Sequence, residues 1–252
     1  MHNPTIQHFG EVTSTMDVAR QLYDNGAGDG TVVLADFQTK GRGRPGRTWI
    51  AEKGKNNFLA TLILKTGSIP TNVLSFVISL SIIETIKYHD VPDLHLKWPN
   101  DILLRKKKLG GILIEKIDDD VFAIGIGLNF EYSPHSTDQS FLVSNNHPDG
   151  ILFPPTSLKA EGLDNKIPSR EVFVNKLFEH INKHEASYIE NGFSMIREQW
   201  LSHHLPIGSK ISFKPTQTRL HGLFNGITVD GHLILLLDDG TSKTFASGDV
   251  FL

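Results

Sequence analysis

Apolar residues between Thr31 and Leu128 come in short runs broken by polar or glycine-rich stretches, the pattern of strands buried in a sheet. Thr31–Phe37, Phe58–Leu64, His95–Trp98, Ile102–Leu104, Leu109–Ile117 and Val121–Leu128 read as strands. Ahead of them, Gln7–Phe9 reads as a short strand leading into a helix at Ser14. Ser14 suits the N-cap, Asp17 the third position of a capping box, and Gly26 the helix end. Asn72–Tyr88 is long enough for a helix and apolar enough to bury against the sheet, whereas residues 131–155 carry no periodicity. Ser169–Asn191 and Ser194–His203 predict two more helices. After Pro206 only short strands follow, at Lys210–Lys214, Leu220–Val229, His232–Leu237 and Ser242–Phe245. The pairs Asp230-Gly231 and Asp239-Gly240 between them suit tight hairpins. The pattern therefore predicts an α+β chain divided near 206, with a main domain over 1–205 and a small β-barrel over 206–252.

Composition narrows the classes. With 39% hydrophobic and 21% charged residues among 252, the chain is of ordinary globular type. It has no cysteine, which excludes a disulfide scaffold, thiol catalysis and cysteine-ligated zinc, and fits a reducing compartment. The N-terminus has no basic stretch followed by an apolar one, and the window Val73–Ile83 is short and broken by serines. A cytoplasmic protein without membrane partners is expected. The net charge of −3 argues against a general nucleic-acid binder. Yet Lys40, Arg42, Arg44 and Arg47 form one cationic run and Arg105–Lys108 a second, which suggests focused anion binding.

Four motifs carry candidate chemistry. In GRGRPGRTW, Gly41–Trp49, glycines permit close backbone approach and arginines offer planar forks for carboxylate or phosphate. Such a loop, poor in apolar residues, is expected to be ordered by its ligand. Taken alone it could equally be an RGG-like nucleic-acid segment or a solvated loop; it matches neither the Walker nor the Rossmann spacing. KWPNDIL, Lys97–Leu103, places Asn100 and Asp101 in a turn, where they could satisfy backbone or present a carboxylate to a metal or a lysine. In KKKLGGILIE, Lys106–Glu115, the charges of Arg105, Lys106 and Lys107 are expected to be solvated. Lys108 instead enters a buried strand beside Gly110 and Gly111, where something approaches the backbone. GIGLN, Gly125–Asn129, repeats that feature, with Asn129 facing the pocket or capping the strand. His180 and His184 have helical spacing without a third ligand and read as surface histidines.

In this order the motifs resemble the biotin–protein ligases. The resemblance implies a central mixed sheet flanked by helices, similar to class II aminoacyl-tRNA synthetases, and the ligase-only form, since the pattern begins too early to leave room for a DNA-binding domain. It implies activation of biotin with ATP and Mg²⁺, then transfer to a lysine of a biotin carboxyl carrier protein. By this resemblance Ser14, Thr15 and Gln38 contact biotin, with Met16 standing where many members have Asn. Arg42, Gly43 and Arg44 form the loop over the adenylate, Pro45 replacing a commonly basic residue. Lys108 meets the biotin carboxylate and the α-phosphate, with Gly110 and Gly111 beside biotin. Arg47, Trp49, Asn100 and Asn129 fall on the ATP side. Asp101 falls at the metal and acceptor-lysine corner, where it is the candidate base, and the catalytic set is Lys108, Arg44 and Asp101. No nucleic-acid partner is implied, and there is room for a homodimer. The alternatives are a lipoate ligase of the same fold and a nucleic-acid-binding module that uses the arginine loop.

Overall fold

The structure, a computed structural model, describes residues 1–67, 69–134, 153–215 and 218–251. The first sheet has seven strands: β1 (Thr5–Val12), β2 (Thr31–Gln38), β3 (Phe58–Lys65), β4 (Leu94–Lys97), β5 (Asp101–Leu104), β6 (Lys107–Asp118) and β7 (Val121–Leu128). Their order is β1-β2-β3-β7-β6-β5-β4. Only β1 and β2 run parallel, so the sheet is mixed.

Both faces of this sheet are covered, and the alternation within β2 shows how. Val33 packs with Ala19 of helix α1 (Thr15–Asp24). Val32 and Leu34 point the other way, into the core shared with helix α2 (Thr71–Tyr88). A strand covered on both faces needs no polar side, hence the continuous TVVLA run. Helix α2 is apolar almost all round because it lies between the sheet and helices α3 (Arg170–Asn191) and α4 (Phe193–Ser202). Its buried hydroxyls are satisfied locally: Ser81 Oγ donates to Val77 O (2.8 Å) and Ser79 Oγ to Phe76 O (3.1 Å). Trp200 Nε1 of α4 then donates to Ser79 Oγ at 3.1 Å. Among the described residues no helix is long and apolar enough to cross a membrane.

Three expectations are corrected here. The C-terminal strands β8 (Lys210–Lys214), β9 (Leu220–Ile227), β10 (Leu233–Leu236), β11 (Ser242–Phe245) and β12 (Asp249–Phe251) form an open antiparallel sheet, in the order β11-β10-β9-β8-β12. It is not a closed barrel: among the described residues β11 pairs only with β10 and β12 only with β8, and these edge strands of four and three residues make no ladder with each other. Strand β12 itself is missing from the sequence reading. The two hairpins do turn at Gly231 (φ 77°) and Gly240 (φ 81°). Asp17 does not complete a capping box, because its carboxylate pairs with Arg42 instead. His184 is buried and His180 largely so, against Glu84 of α2, rather than lying at the surface. Most of the irregular stretch 131–155 lies outside the described residues.

Glu84 Oε2 lies 2.9 Å from His180 Nδ1, 3.0 Å from Lys183 Nζ and 3.4 Å from His184 Nε2. Its carboxyl is lowered from 4.5 to about 2; the contact with His184 is the largest cause, burial opposes it, and Lys183 adds to it. A carboxylate with a depressed folded-state pKa stabilises the fold above its unfolded value, and that contribution vanishes as pH falls through the folded value. Glu84→Gln should therefore unfold more readily than the parent at pH 6 and lose part of the parent's acid sensitivity between pH 4.5 and about 2. Urea melts of both proteins across that window check it; parallel pH dependence would remove Glu84 as a source.

Candidate active site

An open cleft of about 670 Å³, its mouth included, lies where the start of α1, the end of β2, the 41–49 loop and strands β5, β6 and β7 converge. This size suits a small-molecule ligand. Ser14, Thr15 and Met16 line it from α1, and Gln38 from β2. Arg42, Gly43, Arg44, Arg47 and Trp49 line it from the loop, and Asn100, Asp101, Lys108 and Gly111 from β5, β6 and the turn before them. Gly110 and Asn129 do not line it. A Cβ on Gly110 would meet the Leu128 side chain at 2.4 Å and Gly127 O at 2.7 Å, so this glycine serves strand packing. Asn129 Nδ2 donates to Thr156 O at 3.0 Å, which ties β7 to the following segment.

The α1 end of the cleft is a fixed polar cluster. Gln38 Oε1 accepts from Thr15 N (2.8 Å) and Thr15 Oγ1 (3.1 Å), and Thr61 Oγ1 donates to Thr15 Oγ1 (2.8 Å). Ser14 Oγ caps α1 by accepting from Met16 N at 3.3 Å. The glycines of β7 admit protein groups onto the sheet: a Cβ on Gly125 would lie 2.8 Å from Met16 Sδ, and one on Gly127 would lie 2.5 Å from the Trp49 ring. Two polar atoms of the cleft's lining residues, Trp49 Nε1 and Asn100 Oδ1, are buried with no partner among the described residues. Unpaired polar atoms are costly in a protein interior, which favours a polar ligand here.

The arginine loop is held by acids of distant segments. Gly43 N donates to Arg47 O (3.0 Å), Arg47 N to Arg44 O (2.9 Å) and Trp49 N to Gly41 O (2.9 Å). Arg42 pairs with Asp17 and, at 3.3 Å, with Glu115. Arg44 pairs with Asp249 of β12 and donates to Gly248 O at 3.1 Å, while Arg47 reaches the other oxygen of Asp249 at 2.5 Å. Burial pushes the Asp249 carboxyl up, but Arg44 and Arg47 outweigh it and hold the group below its ordinary range. The expectation that ligand contacts alone order the loop is thus incomplete, because these ion pairs compensate for its lack of apolar residues.

Beside the loop lies a buried ion triad. Asp101 Oδ2 is 2.6 Å from Lys97 Nζ, and Asp101 Oδ1 is 2.8 Å from Lys108 Nζ. Burial disfavours the Asp101 charge, yet Lys108 and Lys97 together hold its carboxyl far below the usual carboxylate range. A carboxylate so stabilised is a poor proton acceptor. With both oxygens engaged by ammonium groups, it also does not fit a metal ligand. Among the described residues no cluster of three or more His, Asp or Glu could hold a metal ion. Lys108 is further fixed through its backbone, with its N donating to Pro154 O and its O accepting from Thr156 N, both at 2.9 Å. Arg105 and Lys107 are not simply solvated: both pair with Glu161, at 3.3 and 2.8 Å, flanking a turn in which Arg105 and Lys106 take positive φ.

Sequence reasoning missed Asp249, Glu115, Lys97 as a partner of Asp101, and the apolar walls Ala60, Leu113 and Ile126. Leu113 was within reach, since it lies two residues from Gly111 and so shares its face of β6. No local signal announces Asp249.

The signature of the biotin/lipoate A/B protein ligase family covers residues 9–131, and that of the biotin protein ligase C-terminal domain covers 207–252. The bifunctional ligase/repressor BirA of Bacillus subtilis is 31% identical over 243 residues, 94% of this chain and 70% of that protein. The biotin–[acetyl-CoA-carboxylase] ligase of Paracoccus denitrificans is 33% identical over 211 residues, 81% of this chain and 82% of that one. Among solved structures, the biotin protein ligase of Aquifex aeolicus in complex with biotin and ATP shares the fold, with a TM-score of 0.77, 24% identity and coverage of 98% of this chain and 97% of that one. The strand order, the cleft between arginine loop and lysine strand, and these matches together place the chain in the biotin/lipoate A/B protein ligase family, among those members that carry the biotin protein ligase C-terminal domain.

Proposed function

We infer that the chain is an ATP-dependent biotin–protein ligase, which forms biotinoyl-5′-AMP in the cleft and passes biotin to a lysine of a carrier protein. The observation that carries this reading is the convergence of Arg42, Arg44, Arg47 and Lys108 on one cleft whose other end is the fixed Thr15–Gln38 cluster. One end is cationic and the other neutral and polar, as a ligand with a carboxylate at one end and an uncharged ring at the other requires. The C-terminal domain signature favours biotin over lipoate. Residues 1–205 would form the catalytic unit and 206–252 the small unit beside it.

In the first half-reaction a biotin carboxylate oxygen attacks the α-phosphorus of ATP, and the bond to pyrophosphate breaks. Two anions must approach, and Lys108 and the loop arginines offset that repulsion with preorganised charge. The mixed anhydride is sensitive to water, so a loop held across the cleft protects it. In the second half-reaction a lysine amine attacks the acyl carbon, AMP leaves, and the nitrogen loses a proton. Free lysine titrates near ~10.4, so its surroundings must favour the neutral amine. Asp101 is poorly suited to act as the base. Burial lowers the pKa of Lys97 and Lys108 adds to that shift, though Asp101 opposes it. An acceptor amine desolvated beside Lys108 would be pushed in the same direction.

The first test is ATP–pyrophosphate exchange. It should depend on biotin, and exchange with lipoate or octanoate instead would assign the lipoate branch of the family. Lys108→Ala should lower exchange by ~10²–10³-fold, the scale of losing one preorganised charge, while Lys106→Ala does little. Equal effects of the two would mean that Lys108 is misassigned.

Arg44 links the loop to β12, so Arg44→Gly should weaken retention of the adenylate more than its synthesis. Glycine also widens the freedom of the open loop. Labelled adenylate should leave faster and biotin should appear on bystander albumin. Asp249→Asn, which keeps Arg44 but weakens its anchor, should show a smaller leak of the same kind. Labelling confined to the carrier in both variants would rule out this retaining role.

A further inference from the structure

We propose that Lys97 is a positioning residue whose charge neutralises Asp101, so that the charge of Lys108 remains available to the cleft. The inference rests on the reading above, in which Lys108 meets the biotin carboxylate.

The geometry is that of three neighbouring strands. Lys97 ends β4, the edge strand, and sits opposite Asp101 on β5; Lys108 lies on β6, opposite Leu103. The side chains of the two lysines reach Asp101 from either side, at 2.6 and 2.8 Å, one on each carboxylate oxygen. They differ in what else they can reach. Lys108 is 31% exposed and lines the cleft, whereas Lys97 is 4% exposed and does not. Besides Asp101, the Lys97 ammonium lies 4.6 Å from the Phe153 ring, and it is within electrostatic reach of Lys108 and Arg44, which oppose its charge, of Asp249, which favours it, and of His204. A cation so enclosed cannot take hold of substrate directly.

Charge balance gives it a purpose. Asp101 orients Lys108, but a lone Asp101–Lys108 pair would be neutral and would present little attraction to an incoming carboxylate. A buried carboxylate that serves as an anchor therefore removes the charge it anchors. A second ammonium on the far side restores a net charge of +1 to the cluster, and burial keeps that ammonium from competing for the substrate. Packing needs alone do not call for it, since an apolar side chain would fill the edge position without the desolvation penalty of a buried ion.

The test separates charge from packing. Biotin and biotinol, the corresponding uncharged alcohol, are titrated calorimetrically into the whole protein and into Lys97→Met, Asp101→Asn, the Lys97→Met/Asp101→Asn double variant and Lys108→Ala. Folding of each is checked by thermal melting. Lys97→Met should cut the preference for biotin over biotinol by ~10-fold or more, within the range measured for close charge pairs. The double variant, which deletes both members of the neutralising pair, should recover most of that preference, and Asp101→Asn alone should keep it. A mere packing defect would weaken both ligands alike. Equal weakening in Lys97→Met, or loss of the preference in Asp101→Asn, overturns the proposal while leaving the assigned function intact. If Lys108→Ala also leaves the preference unchanged, the reading of the site fails and the inference with it. Should Lys97→Met not fold, Asp101→Asn is compared with the double variant: the extra Lys97 charge should give Asp101→Asn the higher preference, and equal preferences overturn the proposal.

Discussion

Five cationic side chains, Arg42, Arg44, Arg47, Lys97 and Lys108, are gathered about one cleft, and their mutual repulsion must be offset inside the protein. Two unit charges ~4 Å apart repel by about 4 kcal/mol at an effective dielectric constant near ~20, so several together would strain a fold of ordinary stability. The offset is supplied by acids placed behind the cations. Asp101 stands between the two lysines, Asp249 between Arg44 and Arg47, and Asp17 with Glu115 beside Arg42. Each acid does two things at once: it lowers the cost of assembling positive charge, and it fixes the direction in which that charge points. Preorganisation of this kind lets a site stabilise developing negative charge without reorganising at the moment of reaction.

The sheet makes the arrangement possible. Side chains alternate along a strand, so Gly111 and Leu113 of β6 and Gly125 and Gly127 of β7 contribute to one wall. Short strands β4 and β5 bring Lys97 opposite Asp101 in register, and the bulge between Ile102 and Leu103 shifts the β5–β6 pairing by one position just where Lys108 stands. A bulge re-aims a side chain by altering local twist, and here it falls beside the lysine that carries the cleft's charge.

How much of this was legible follows from sequence distance. Strands β2, β3, β5 and β7 were readable because burial on both faces leaves nearly unbroken apolar runs, whereas β1, which has no buried residue, showed over only three of its eight residues. The loop, the lysine and the Asn-Asp turn were readable because glycine, arginine and lysine cluster locally. What stayed hidden lies in pairings across long separations. Asp249 is 205 residues from Arg44, in a three-residue strand too short to show a period. His184 looked like a surface residue because its helix is polar around it; the Glu84 that accompanies it sits on another helix. Gly110 looked like a ligand contact because the sequence records that space is needed, not what fills it, and Leu128 fills it.

The second sheet reaches the site through its backbone as much as through Asp249. Trp98 Nε1 of the Lys97–Leu103 motif donates to Gly231 O at 3.0 Å, Asn72 Nδ2 donates to Asp230 O at 2.9 Å, and Arg44 donates to Gly248 O. Two of these acceptors are glycines at positive φ, 77° for Gly231 and 146° for Gly248. A Cβ on Gly231 would lie 2.6 Å from the Phe76 ring, and one on Gly248 would lie 2.3 Å from the Phe213 ring. The carbonyls that receive Trp98 and Arg44 are therefore aimed by turns that only glycine fits comfortably. The conformation of the second sheet's turns and the placing of the loop over the cleft are one mechanical problem, joined through main-chain oxygens.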